Sequence, residues 1–167
     1  MLSLFAKLLK ILNSEASPFQ ISIALGLSMI TSFLPLVTPL NLLILFLVFL
    51  LRVNISAYLL GTALFSGIAW FLDPLFHPIG RAVLTAGPLE ELWTAFYNTI
   101  IGRLQRFNNT VVMGSSLFSL LIFVPFVLLT NSMIRRYREH VLVWVKKTRL
   151  MQLILASRFY ALYEKLS

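Results

Sequence analysis

The sequence predicts an all-α polytopic membrane protein, with a proline-broken helical hairpin, two transmembrane helices and flanking amphipathic interfacial helices. Three observations carry that fold class. Only 12% of the 167 residues are charged while 59% are hydrophobic, against about a quarter charged in a soluble domain. The mean hydropathy is +0.88, so there is too little polar surface to face water and the solvent must be largely lipid. Long uncharged runs, punctuated by Pro, Asn and basic residues, then divide one membrane domain, residues 1–167, into helical units. A net charge of +8 could suggest nucleic acid. In so apolar a chain it fits a basic juxtamembrane surface better, and no nucleic-acid partner is expected. The absence of Cys excludes disulfides and thiolate metal sites.

The first unit is residues 1–17. "MLSLFAKLLKILNSEASPF" has no small-x-small site after its apolar part, so it does not read as a cleavable leader. Leu2, Phe5, Leu8, Leu9 and Leu12 share one helical face, and Lys7, Lys10 and Asn13 another. That pattern describes a short interfacial helix, with a frayed leader as the plainer alternative.

The second unit, residues 18–52, contains 33 uncharged residues from Phe19 to Leu51, with Pro35 and Pro39 near the middle. A single helix over that run would be roughly 50 Å long, against a hydrocarbon core about 30 Å thick. Interior prolines also remove hydrogen bonds and clash with the preceding turn. The run therefore folds back at "PLVTP". Ser17-Pro18 starts a first arm that ends near Leu34, and Thr38-Pro39 starts a second that ends near Leu51. Arms of about 24 Å and about 18 to 21 Å favour a re-entrant hairpin, with two short crossings as the alternative.

Residues 53–72 and 111–134 form the two transmembrane runs, Val53 to Leu72 and Val111 to Ile134. Between them, residues 73–110 carry balanced charge: Arg81, Arg103 and Arg106 against Asp73, Glu90 and Glu91. Basic residues gather instead near both ends. Lys7 and Lys10 precede the hairpin, Arg52 follows it, and Arg135, Arg136, Arg138, Lys146, Lys147 and Arg149 follow the last run. The positive-inside rule puts both termini in the cytoplasm and 73–110 outside. Residues 135–167 read as a basic cytoplasmic helix that anchors topology and attracts anionic lipid.

The external segment "GPLEELWTAFYNTIIGRLQRFNN" predicts one capped amphipathic helix. Pro88 takes the first position, the acids the first turn and the arginines the last. Leu89, Leu92, Trp93, Phe96, Ile100, Leu104 and Phe107 make its apolar stripe, and Trp93 and Tyr97 suit an interface. It either lies on the outer membrane surface or caps the bundle.

Catalysis finds little footing. His77 and His140 fall on opposite sides in this topology. Asp73 and His77 are four apart, but Pro74 and Pro78 are expected to interrupt their helix, and one Asp/His pair is a weak metal signal. Glu90-Glu91 fits the helix dipole better than a carboxylate dyad. No cofactor, metal or enzymatic activity is expected. Small residues say more. Ser22 and Gly26, Ala57 and Gly61, and Ala63 and Gly67 are four apart, and Gly114 stands among Ser115, Ser116 and Ser119. Such faces let helices approach closely, within the bundle or against a partner. Asn41 and Asn131 are each expected to bond a backbone group freed near a proline. At the bend, Pro35, Thr38, Pro39 and Asn41 either satisfy one another or leave a polar spot for a headgroup or partner. The candidate contact residues are these four with Gly61, Gly67, Trp93 and Tyr97.

"SPFQISIALGLSMITSFLPL" and "LLRVNISAYLLGTALFS" resemble the bacterial membrane family called domain of unknown function 2062. "LDPLF", "LWTAFYNT", "RFNNTVVMGS" and "IRRYRE" resemble one subgroup of it, over about Leu12 to Leu166. The resemblance implies a bacterial inner-membrane protein. Members of that subgroup are typically encoded beside a larger envelope protein with a membrane anchor and a long periplasmic part. The family brings no catalytic residues. Two functions are expected to compete. One is a non-catalytic subunit of an envelope assembly that moves or organises lipid, binding that partner's membrane anchor. The other is a self-contained transporter, channel or scramblase acting as a homo-oligomer. Against the second, the apolar runs hold no acidic residue to couple ions.

Overall fold

Ser17 and Thr38 start the first two helices as their Ser-Pro and Thr-Pro pairs predict. A computed structural model describes residues 16–141 together with Ile11 and Ser14. The proposed N-terminal interfacial helix, with Lys7 and Lys10, and the basic tail with Lys146, Lys147 and Arg149 lie outside the described residues. Helix α1, Pro18–Phe33, has a reciprocal cap: the Ser17 hydroxyl accepts from the Gln20 amide, and the Gln20 side chain accepts from the Ser17 amide. Helix α2, Pro39–Leu50, is capped by the Thr38 hydroxyl, which accepts from the Asn41 amide. Between them Leu34 and Thr38 are extended, as the residue before a proline prefers, and the chain turns back.

Helix α3, Ile55–Leu84, starts at Asn54, whose side chain accepts from the Ala57 amide at 2.8 Å. It runs 12 residues past Leu72, through Pro74 and Pro78. The interruption expected at those prolines does not occur, because packing outweighs the local penalty. Phe76 is fully buried, with its ring 5.4 Å from Phe33 and 5.3 Å from Phe118. A Cβ on Gly80 would overlap the Thr110 carbonyl, and one on Gly114 the Phe76 carbonyl, so two backbones touch where only glycine fits.

Helix α6, Thr110–Arg136, matches the last apolar run and is capped by Asn109, which accepts from the amides of Val111 and Val112. The segment before it is not one helix. A 3-10 turn, Gly87–Leu89, leads into α4, Glu90–Tyr97, and after Asn98 the Thr99 hydroxyl caps a separate α5, Ile100–Gln105. The buried Gly102 packs against the Phe96 carbonyl, and Arg106 turns into the left-handed region at φ 55°. That corner folds Phe107 back onto Trp93, Phe96 and Tyr97, ring centroids 5.9, 4.8 and 6.2 Å away. The aromatic contacts reward the corner more than a straight helix would reward its stripe.

Helices α1, α3 and α6 pack on one another as a three-helix core, and α2 lies against α1 through Asn41, Ile44 and Val48. One end holds the start of α1 and the end of α6, joined by Arg138, whose guanidinium donates to the carbonyls of Ala16 (3.0 Å) and Ser14 (2.9 Å). The other end holds the α1–α2 bend and residues 85–109, joined by the bond from the Leu40 amide to Gln105 Oε1 (3.1 Å).

Candidate functional site: the hairpin bend and the outer faces

Pro35 has no amide hydrogen to give the Thr31 carbonyl. Asn41 supplies the missing donor. Its Nδ2 donates to Thr31 (3.2 Å) and also to the Pro35 carbonyl (2.9 Å). The Thr38 hydroxyl reaches the same Pro35 carbonyl at 3.3 Å. Both side chains are buried, Thr38 at 1% and Asn41 at 5% exposure. The bend thus satisfies its own freed backbone, and the expectation for Asn41 holds. Two atoms are left over: Asn41 Oδ1 and Gln105 Nε2 are buried without a partner. Leu36 and Val37, at the tip, are 78% and 85% exposed. Asn131 departs from its expectation: its side chain donates to no backbone carbonyl among the described residues, and its Oδ1 is buried without a partner.

The small residues divide into two kinds. Gly61 is buried, and a Cβ there would overlap the Ser28 hydroxyl of α1, so that glycine serves the bundle itself. A Cβ on Gly67 would meet nothing within 4 Å. Gly67 is exposed between the outward-facing Leu64, Trp70 and Phe71 of α3. The hydroxyls of the core turn inward on backbone. Ser22 donates to Pro18, Ser28 to Leu25, Ser119 to Ser116, and Ser32 across to Thr62. The Thr31 and Tyr58 hydroxyls pair at 3.0 Å. This seam of small polar groups is a closed helix–helix contact.

At the far end, the Trp93 indole donates to the Val83 carbonyl at 3.0 Å, satisfying the last turn of α3, so its polar edge is already used. Tyr97 is exposed. His77 Nδ1 pairs with the Thr110 hydroxyl at 2.7 Å and ties α3 to the start of α6. Asp73 is exposed. Among the described residues, no three His, Asp or Glu side chains come together. Of the basic cluster, Arg135 and Arg136 are exposed, while Arg138 is committed to the carbonyls before α1.

Gln105 carries no signal that sequence reasoning could use. It becomes important only because α5 folds down onto the first turn of α2. The Phe76–Gly114 and Gly80–Thr110 contacts were half visible, in the Gly-Ser cluster at 114–119.

An uncharacterized protein of Treponema pallidum (strain Nichols) is 25% identical over 133 residues, covering 80% of this chain and 82% of its own. No family model matches the chain. No solved structure matches it.

Proposed function

We propose that the chain is a non-catalytic membrane subunit of a bacterial cell-envelope assembly that moves or organises lipid. Its outer helix faces would bind the transmembrane anchor of a larger periplasmic partner. One observation carries the membrane part. The two long helices, 30 and 27 residues or about 45 and about 40 Å, bury only 22% and 33% of their most apolar windows. Large apolar side chains such as Trp70, Phe71, Leu121 and Leu128 face out, while Ser22, Ser28, Ser115 and Ser119 are fully buried. A core helix of a soluble protein has the opposite arrangement. Lipid-facing bundles pack on small residues and put bulk outside.

Supporting two cytoplasmic termini in the inner membrane, the start of α1 and the end of α6 share one end of the bundle, where Arg135 and Arg136 are exposed. The re-entrant hairpin also finds support. Phe33 meets Phe76 and Phe118, yet α3 continues eight residues past Phe76 and α6 begins eight residues before Phe118. Phe33, the last residue of α1, therefore lies roughly 12 Å inside both helix ends, and the bend at 34–38 starts from there. The subunit role draws on Gly67, an open notch in an apolar face, and on the resemblance to the domain of unknown function 2062 family.

Purification of the full chain with its native membrane neighbours tests the proposal. A stoichiometric larger partner is the expected result. A self-contained symmetric oligomer would replace it with the transporter or scramblase alternative.

A further inference from the structure

The far end of the molecule carries exposed apolar and cationic side chains side by side. Leu36 and Val37 project from the bend, and Ile100, Ile101 and Leu104 are exposed on α5 at 70%, 62% and 59%. The bond from the Leu40 amide to Gln105 Oε1 holds α5 against the first turn of α2, which starts two residues after Val37. Arg103 and Arg106 are exposed on the same short helix and its cap. Neither guanidinium has a hydrogen bond or ion pair among the described residues. The acids of this segment, Glu90 and Glu91, lie in the first turn of α4 and form no ion pair with either arginine.

Arg106 is informative in another way. At φ 55° it occupies a left-handed helix cap, where glycine is the low-strain residue. Arg106, like Arg52, carries a side chain in that conformation. Neighbouring apolar and cationic side chains at a membrane boundary match the layered chemistry of a lipid surface: acyl chain below, phosphate above. A planar, permanently charged guanidinium pairs with phosphate in bidentate fashion.

We propose that the bend tip and α5 form a phospholipid-binding footprint in the leaflet opposite the termini. Leu36, Val37, Ile100, Ile101 and Leu104 enter the acyl boundary, and Arg103 and Arg106 hold lipid phosphates. This rests on reading α3 and α6 as membrane spans. It assigns α5 to the outer membrane surface rather than to a cap on the bundle.

Spin labels decide the matter in the full-length chain, which has no native cysteine. Labels are placed by Ile101→Cys, Leu121→Cys and Glu91→Cys, with reconstitution into vesicles of phosphatidylethanolamine and phosphatidylglycerol. At positions 101 and 121, collisions with oxygen should exceed those with a water-soluble nickel chelate several-fold, with the reverse at position 91. Adding Arg103→Gln and Arg106→Gly should lower the ratio at 101 several-fold and leave 121 unchanged; the glycine also relieves the strained cap. A water-exposed label at 101 beside a lipid-exposed one at 121 overturns the footprint and leaves the membrane spans standing. A water-exposed label at 121 overturns both. An unaltered ratio at 101 in the arginine variant removes the phosphate contact and with it the proposal.

Discussion

Two proline pairs, both four residues apart, behave in opposite ways. Pro35 and Pro39 bracket a break, whereas Pro74 and Pro78 lie inside a continuous 30-residue helix. The chemistry of the ring is the same in both: no amide hydrogen, and a clash with the turn before. What differs is the company. Between the first pair, Leu36 and Val37 are largely exposed, while Asn41 and Thr38 take up the freed carbonyls and make the break cheap. Between the second pair, Phe76 is held against the Gly114 backbone and two other phenylalanine rings, and Gly80 lies on Thr110 just beyond. A helix that would break alone is held continuous by its neighbour.

The most damaging test removes the clamp. Gly114→Leu should push α3 away from α6 and let the second pair act like the first. Overpacking of this kind costs about 3 kcal/mol or more against an unyielding backbone, and thermal unfolding in detergent should show a lost or much lowered transition. A variant as stable as the parent would mean that α3 needs no clamp. Next comes the other side of the comparison. Asn41→Ala leaves the Thr31 carbonyl without its donor and removes one of two from Pro35, which should cost about 1 to 3 kcal/mol. Chemical denaturation that is unmoved by Asn41→Ala would show that water or lipid already serves those carbonyls.

A smaller effect of opposite sign is expected from Pro74→Ala with Pro78→Ala. Two helical hydrogen bonds return to a helix that is already continuous, for a gain of about 1 kcal/mol. A loss of stability would show that the rings themselves pack usefully. Smallest of all on folding is Gly67→Leu, within about 0.5 kcal/mol of the parent because the site is open. Gly61→Leu, which would overlap Ser28, should unfold the bundle instead. Gly67→Leu should still reduce co-purification of a partner. Full retention would leave that face to lipid.

What could be read from the sequence follows the range of the forces involved. Ser17-Pro18 and Thr38-Pro39 announce helix starts through groups at most four residues apart, and both starts lie where those signals put them. The last apolar run likewise carries its own cap in Asn109. The continuity of α3 could not be read, because it depends on Gly114 and Phe33, far off in sequence and adjacent only after packing. The corner at Asn98-Thr99 was half legible: Thr99 is a good cap, but nothing local says that Phe107 will return to the Trp93 ring. Of the candidate site, Asn41 was legible as a donor for a proline-freed carbonyl. Gly67 differs from Gly61 only in what surrounds it, and Gln105 matters only through a bond spanning 65 residues.

The Arg138 contact bears on the order in which the molecule can be completed. Its bonds to Ser14 and Ala16 join residues 124 and 122 positions apart. The lead-in to α1 leaves the ribosome well before Arg138 does, so its carbonyls receive this donor only after α1 to α6 have all been made. Until then the hairpin stands with that end open. Completion of α6 is therefore also the moment at which α1 becomes fixed at its base, and a nascent chain truncated before Arg138 should hold its first helix less firmly than the finished protein does.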